Sequence, residues 1–255
     1  MPTDGKPASY GATPRPTQDE VLRWLGSARF ERYLSSAHGD ERAALSLYAW
    51  NSAVAAAALT EVWHLEVALR NAYDRELSRL HPDWIRPGSD LWARRVGDAR
   101  RRTAQQLANE RTLDSLADAG SDLEPNADNV IARTSFGMWC NLIDPHREPI
   151  LWAKALAQAY PPGTVRGPVY RLSLNALGFR NRLSHNEPVF GRTTALAERI
   201  RQVRVLHALV SPASADWAAR RFDLAATVAR CPVTGLVEWP MPLGRPPSTL
   251  VATAR

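Results

Sequence analysis

The sequence predicts an all-α protein, and three observations carry that expectation. From Gln18 onward the texture is dominated by Ala, Leu, Arg and Glu. No stretch shows the sustained β-branched alternation of a strand. The segment from about Asp40 to Leu80 contains neither proline nor glycine, which leaves a helix nothing to break on. With 255 residues, 45% of them apolar and 23% charged, the chain is long enough to bury a substantial core, and its composition argues against wholesale disorder.

The elements follow in order. Residues 1–16, rich in Pro, Gly and Ser, read as a flexible leader. Asp40 can cap the long helix and Pro82 stops it; at about 1.5 Å per residue it would reach roughly 60 Å, with Asn51 as a candidate break point. A second helix is expected over 91–109, then a polar loop punctuated by Gly120, Pro125 and Asn126. Helical segments over about 130–143, 149–160, 168–186, 193–209 and 214–229 follow, with a Pro/Gly loop at 161–168. Residues 231–255 read as an extended proline-rich tail. No internal repeat is present, so one helical domain over 17–230 is the economical organisation.

The formal charge is +6, and Lys6 and Lys154 are the only lysines among 32 basic residues. Arginine suits phosphate, because its planar fork binds two oxygens at once, although a genome rich in G and C produces the same bias. The charge permits a nucleic-acid partner without specifying one. Cys140 and Cys231 lie far apart without CxxC spacing, which points to a reducing compartment rather than to zinc or a disulfide framework. His38, His81, His146 and His207 have no ligand spacing, and no phosphate loop or Ser/Cys nucleophile motif is present, so neither metal nor cofactor is expected. No N-terminal signal region is seen and no apolar run approaches the roughly 20 residues of a membrane span, so the expected location is the cytoplasm, away from any membrane.

The helix near 168–186 holds the residues with chemistry. Leu172, Ala176, Phe179 and Leu183 form one apolar stripe at helical spacing. Tyr170, Leu174 and Leu177 form a second on nearly the opposite side, continued by Asn181 and His185. A helix apolar on two sides is usually buried on two sides, and the second cover could be another subunit. His185 stands in the last turn before Pro188, where free carbonyls favour an imidazolium, and Arg180 flanks the same face. Breaking RNA needs a base for the 2′-OH, an acid for the leaving 5′-oxygen and positive charge for the phosphorane. A histidine supplies the first or second and an arginine the third. A solvated polar face fits the same two residues, and similar spacings recur at Arg75–His81 and Arg201–His207.

What separates Arg180–His185 from those pairs is the whole string Arg180-Asn181-Arg182-Leu183-Ser184-His185-Asn186-Glu187-Pro188-Val189-Phe190. It resembles the signature of the HEPN superfamily, in its Abi-like (abortive-infection) branch. Leu65-Glu66-Val67-Ala68-Leu69-Arg70-Asn71, preceded by Leu47-Tyr48-Ala49-Trp50-Asn51, is similar to that family's other helix. Ser135-Phe136-Gly137-Met138-Trp139 and Leu151-Trp152 resemble its middle section, and Asp216-Trp217 its last helices, so the likeness spans about 21–230. It implies a HEPN-like helical bundle with additional helices, a homodimer in which two Arg-x4-His motifs share a cleft. It further implies metal-independent endoribonuclease activity, as in toxins of phage-defence or toxin–antitoxin systems, with an antitoxin that is a protein or a small RNA. On that resemblance His185 is the acid or base, Arg180 the phosphate clamp and Asn181 the group that orients either, with Arg182 and Glu187 supporting. Asn186 stands where the family often has a second histidine, so any role of that residue is absent or altered. Some relatives are scaffolds or RNA binders, so a non-catalytic RNA-binding or assembly module is the alternative.

Glu66 and Arg70 stand at i, i+4, as an ordinary helical ion pair or, with Asn71, as support beside the cleft holding Arg180. Arg94, Arg95, Arg100, Arg101 and Arg102 form the densest basic run, either a solvated face or a surface for RNA or DNA phosphates. Of the nine tryptophans, Trp50, Trp63 and Trp139 sit in apolar helical patterns and are expected in the core, and His64 is taken as structural.

Overall fold

The computed structural model describes residues 16–86, 89–92, 104–120, 127–191, 195–221, 223–237 and 239. Among them the secondary structure is helical, without strands. The leader up to residue 15, most of the tail and the basic run Arg94, Arg95, Arg100, Arg101 and Arg102 lie outside the described residues. The chain divides into two compact units, Met1–Ala49 and Trp50–Arg255.

In the first unit, α1 (Gln18–Leu25) opens on a capping box: Thr17 N–H donates to the Glu20 carboxylate at 2.6 Å, and Glu20 N–H donates to Thr17 Oγ1 at 3.4 Å. Gly26, at φ 75, ends it and leads into α2 (Ser27–Ser36). Val21, Phe30, Tyr33 and Leu47 are buried here, and the Tyr48 ring meets Trp24 and Tyr33 edge-on at 5.3 and 5.4 Å. Asp40 caps α3 (Glu41–Leu80) as expected, its Oδ1 accepting from Ala43 N–H at 3.0 Å.

α3 runs unbroken for 40 residues, so Asn51 is not a break point. The Asn51 side chain is satisfied by another segment rather than by its own backbone, so it does not compete with the helical ladder. By length and composition α3 is also long and apolar enough to cross a membrane, an 18-residue stretch of it reaching a mean hydropathy of 1.2, contrary to the expectation that no run approached this. The alanine-rich 53–58 stretch lowers its polarity, while the buried Asn51, Glu61 and Glu76 on the same helix all find partners within the protein. Glu61 is bound by Arg204, and Glu76 by Arg75 and Arg79 at 2.9 and 2.7 Å.

Beyond a 3-10 turn at Asp90–Trp92 come α4 (Ala104–Gly120), α5 (Ala127–Arg133) and α6 (Phe136–Asn141). α4 continues through 110–120, where a loop was expected, because Leu113, Leu116 and Ala119 recur at helical spacing and are buried. The expected helix over 149–160 is instead a π turn (Glu148–Trp152) and a 3-10 turn (Leu156–Ala159), Pro149 removing a donor from the first turn. Arg147, preceding them, is buried against Trp92, with its Nη1 donating to Thr112 Oγ1 at 2.9 Å and its Nε 3.4 Å from Asp144 Oδ2. Burial lowers its pKa to about 10.

α7 (Arg166–Ser184), α8 (Ala195–Val210), α9 (Pro212–Arg221) and α10 (Leu224–Ala229) complete the fold. The last two replace one expected helix, since Asp223 turns its carboxylate onto Ala226 N–H at 2.9 Å and starts a new one. Trp50 and Trp139 are in the core, but Trp63 is 54% exposed; it shares an outward row with the exposed Val67, and that row is apolar in sequence, as a core-facing one would be.

Candidate functional site

α7 carries Arg166, Arg171, Arg180 and Arg182 and no acidic residue. Its inward face is Val169, Ser173, Ala176, Phe179 and Leu183, so the predicted stripe holds for its last three members, while Leu172 is only half-buried. Ser173 tolerates the core because its Oγ donates to Val169 C=O at 3.0 Å, and its own carbonyl accepts from Cys140 Sγ at 3.5 Å. On the second face Tyr170 and Leu177 are half-buried, whereas Leu174 is 39% exposed and a side chain at Gly178 would meet open space.

The end of α7 is built by hydrogen bonds. Asn186 N–H donates to Leu183 C=O at 2.9 Å and Glu187 N–H to Arg182 C=O at 3.0 Å, the paired bonds of a Schellman cap around the C-cap His185. That cap requires a left-handed residue, and Asn186 takes it at φ 48, a conformation asparagine tolerates better than most. The Asn186 side chain then reaches α3, its Nδ2 donating to Ser52 Oγ at 3.0 Å and its Oδ1 accepting from Asn51 Nδ2 at 3.1 Å. Asn51, fully buried, also accepts from Val189 N–H at 2.8 Å and donates to Glu187 C=O at 3.4 Å. Beside it Trp50 Nε1 donates to Thr227 C=O at 3.1 Å, and its ring meets Phe190 at 6.5 Å. The departure at Asn186 therefore has a structural use here: it locks the cap to α3.

Outward from this lock, Asn181 and His185 are exposed one helical turn apart. Arg180 stands about 140° around the axis from His185 at 3.6 residues per turn, so it starts on a different side. Its Nε is buried without a hydrogen-bond partner, and its Nη1 lies 3.4 Å from Asn181 Oδ1. The stem and Nε are thus packed inward while Nη1 reaches the adjacent Asn181 side chain. Among the described residues no carboxylate pairs with it.

Arg182 is an exposed neighbour of Glu187, 3.3 Å away, and donates to Pro188 C=O at 3.1 Å. Glu66 and Arg70 pair at 2.8 Å, and Arg70 Nη1 donates to Ala132 C=O at 2.8 Å, closing the end of α5. No hydrogen bond or ion pair joins Arg180 to Glu66, Arg70 or the exposed Asn71. What the motif did not show is that Asn51 and Asn186 together bind the end of α7 to α3. The available signal was a polar residue in register with the buried Leu47, Val54 and Ala58. Among the described residues no group of three or more His, Cys, Asp or Glu side chains gathers as a metal site. No family model matches the chain, and no curated protein or solved structure matches it either.

Proposed function

We propose that this chain is an Abi-like HEPN endoribonuclease, a cytoplasmic toxin that cleaves RNA by attack of a 2′-hydroxyl on the adjacent phosphorus. The observation that carries the reading is the outward end of α7, where Arg180, without a carboxylate partner among the described residues, reaches the exposed Asn181, one helical turn before the exposed His185. The lack of any acid on α7 supports it, because phosphate meets no competing negative charge along that helix.

In this reading one imidazole takes the 2′-OH proton as the O2′–P bond forms. An imidazolium gives its proton to O5′ as the P–O5′ bond breaks, leaving a 2′,3′-cyclic phosphate and a 5′-hydroxyl. Arg180 holds the non-bridging oxygens and the charge of the phosphorane. One chain brings one such histidine, so a homodimer that joins two α7 faces supplies both acid and base. The open strip at Leu174 and Gly178 leaves room for that approach.

The test is purified protein, freed of any antitoxin, incubated with cellular RNA in EDTA and followed by sequencing of the ends. New 5′-hydroxyl ends that vanish in His185→Ala and Arg180→Ala are expected. Intact RNA of every class would overturn the reading. RNA binding that both variants retain, without cleavage, would instead establish a non-catalytic RNA-binding module on the same basic helix.

A further inference from the structure

The outward side of α3 in the second unit is not built as a solvated surface. Ala53, Ala56, Trp63 and Val67 are exposed, and Thr60 between them is half-buried. These positions recur at alternating steps of three and four residues, the spacing of a coiled-coil seam. None carries a charge, and Thr60 spends its hydroxyl on Ala56 C=O at 3.2 Å. The carboxylates of this stretch, Glu61 and Glu66, stand off the row and are bound by Arg204 and Arg70. A helix side that faces water ordinarily carries charged or polar residues, so an uncharged row about 21 Å long calls for a cover.

Among the described residues of the second unit, Trp63, Val67 and Trp217 are the large apolar side chains most open to solvent. Trp217, on α9, borders the row, with its ring edge-on to His64 at 5.5 Å. Tryptophan is among the residue types that most often anchor an interface.

Size and charge decide which partner fits. The row is small at one end, at Ala53 and Ala56, and large at the other, at Trp63 and Val67. A second α3 can lie antiparallel to it across a two-fold axis at the level of Ala58. Each Trp63 then meets Ala53 of the other copy and each Thr60 meets Ala56, a knob over a hole in both directions. Because α3 is unbroken, the same register faces Arg42 with Asp74 and Glu41 with Arg75, opposite charges in both pairs. A parallel pair would instead oppose Trp63 to Trp63, leave a gap between alanines and bring like charges together. Contact over this length, with Trp217 at its edge, falls at the low end of specific interfaces, below about 1,200 Å² in total. The association expected is therefore micromolar rather than nanomolar.

We propose that this row of α3 is a self-association surface, closed by a second copy of the chain in antiparallel, two-fold register. The axis differs from the one that would join two α7 faces, and the inference does not rest on the ribonuclease reading. A chain that uses both contacts assembles beyond a dimer.

The experiment is sedimentation equilibrium of the full chain over the micromolar range. Concentration-dependent association is expected, weakened at least tenfold by Trp63→Arg and by Ala53→Glu, with folding checked by the urea midpoint. Should Trp63→Arg fail to fold, Val67→Arg takes its place, with the same weakening expected. The double variant Ala53→Glu/Trp63→Arg tests the register. In the antiparallel pair each new arginine meets a new glutamate of the other copy, so association should be at least tenfold tighter than in either single variant. Within one helix these two positions are too far apart to pair. Association unchanged in a folded Trp63→Arg, or a double variant no tighter than the single ones, overturns the proposal. A chain that stays monomeric and floats with phosphatidylcholine–phosphatidylglycerol vesicles overturns it in favour of a lipid surface. RNA cleavage without Trp63-dependent association sinks this inference alone, whereas that association without cleavage sinks only the ribonuclease reading.

Discussion

Two arginine–histidine pairs of nearly equal spacing sit on consecutive helices in opposite surroundings. On α7, His185 is an exposed C-cap, and Arg180, five residues before it, leans on Asn181 with no carboxylate partner among the described residues. On α8, His207 is 2% exposed with its Nε2 2.8 Å from Ser214 Oγ, and Arg201, six residues before it, is forked onto Glu198 by two bonds of 2.7 Å. Burial, reinforced by the nearby His64, lowers the His207 pKa to about 4, so its ring is neutral at physiological pH. Spacing therefore decides little. An acid–base group needs solvent or substrate to exchange its proton with, and a phosphate clamp needs its charge unspent. Only the α7 pair meets both conditions.

The largest effect expected separates the two histidines directly. His185→Ala should lower RNA cleavage by about 10²–10⁴, the usual contribution of a general acid or base, while stability stays within about 0.5 kcal/mol as for other exposed sites. His207→Gln should leave the cleavage rate per folded molecule unchanged. Counting 5′-hydroxyl ends alongside a urea midpoint checks both, and equal loss of cleavage in the two folded variants would break the contrast.

Next in size is the lock beneath His185. Asn51→Ala removes its bonds to Val189, Asn186 and Glu187 and leaves the Val189 N–H facing a site without its acceptor. Stability should fall by about 2–4 kcal/mol, read as a lower urea midpoint, because buried unpaired polar groups cost about 1–3 kcal/mol each. Cleavage should weaken through the displaced cap as well, more in substrate affinity than in the pH profile of the reaction. A change as small as that of an exposed residue would show that the lock is dispensable.

The third expectation concerns pH. A folded-state pKa of about 4 for His207, below its ordinary 6.5, means that the unfolded chain binds more protons between these values. This group's stability contribution is therefore fully present above about pH 6.5 and is lost as pH falls towards about 4. The urea midpoint should drop across that window in the wild type, with a shallower drop in His207→Gln. Parallel curves would mean that His207 is not the group responsible.

These contrasts also mark what could be read from residues alone. Helix existence was legible because caps and stops are local: Asp40 caps α3, and Pro82 follows two residues after its end. The break at Asn51 was misread because a buried asparagine looks like a helix breaker until its partners, more than 130 residues away, are known. The exposure of Trp63 was equally hidden, since Leu59 and Val67, one turn to either side, make its row along the helix look apolar. The α7 string was visible as a unit, but its division of labour was not. Asn186, Glu187 and Val189 bond to Asn51, while Asn181 and His185 face outward, and only the left-handed turn at Asn186 sends the two sets to different sides.

The smallest expected effect is the sharpest check on the comparison. Glu198→Gln removes the carboxylate that neutralises Arg201 and so gives the α8 pair the charge that Arg180 already has. The pair is about half exposed, so the stability cost should be a few tenths of a kcal/mol, within the range of surface ion pairs. Charge alone, however, does not bring His207 to solvent: its ring stays buried against Ser214 and stays neutral. In a His185→Ala background, Glu198→Gln should therefore restore no RNA cleavage. A gain of 5′-hydroxyl ends in that double variant would mean that freeing an arginine suffices, and that burial is not what keeps the second pair silent.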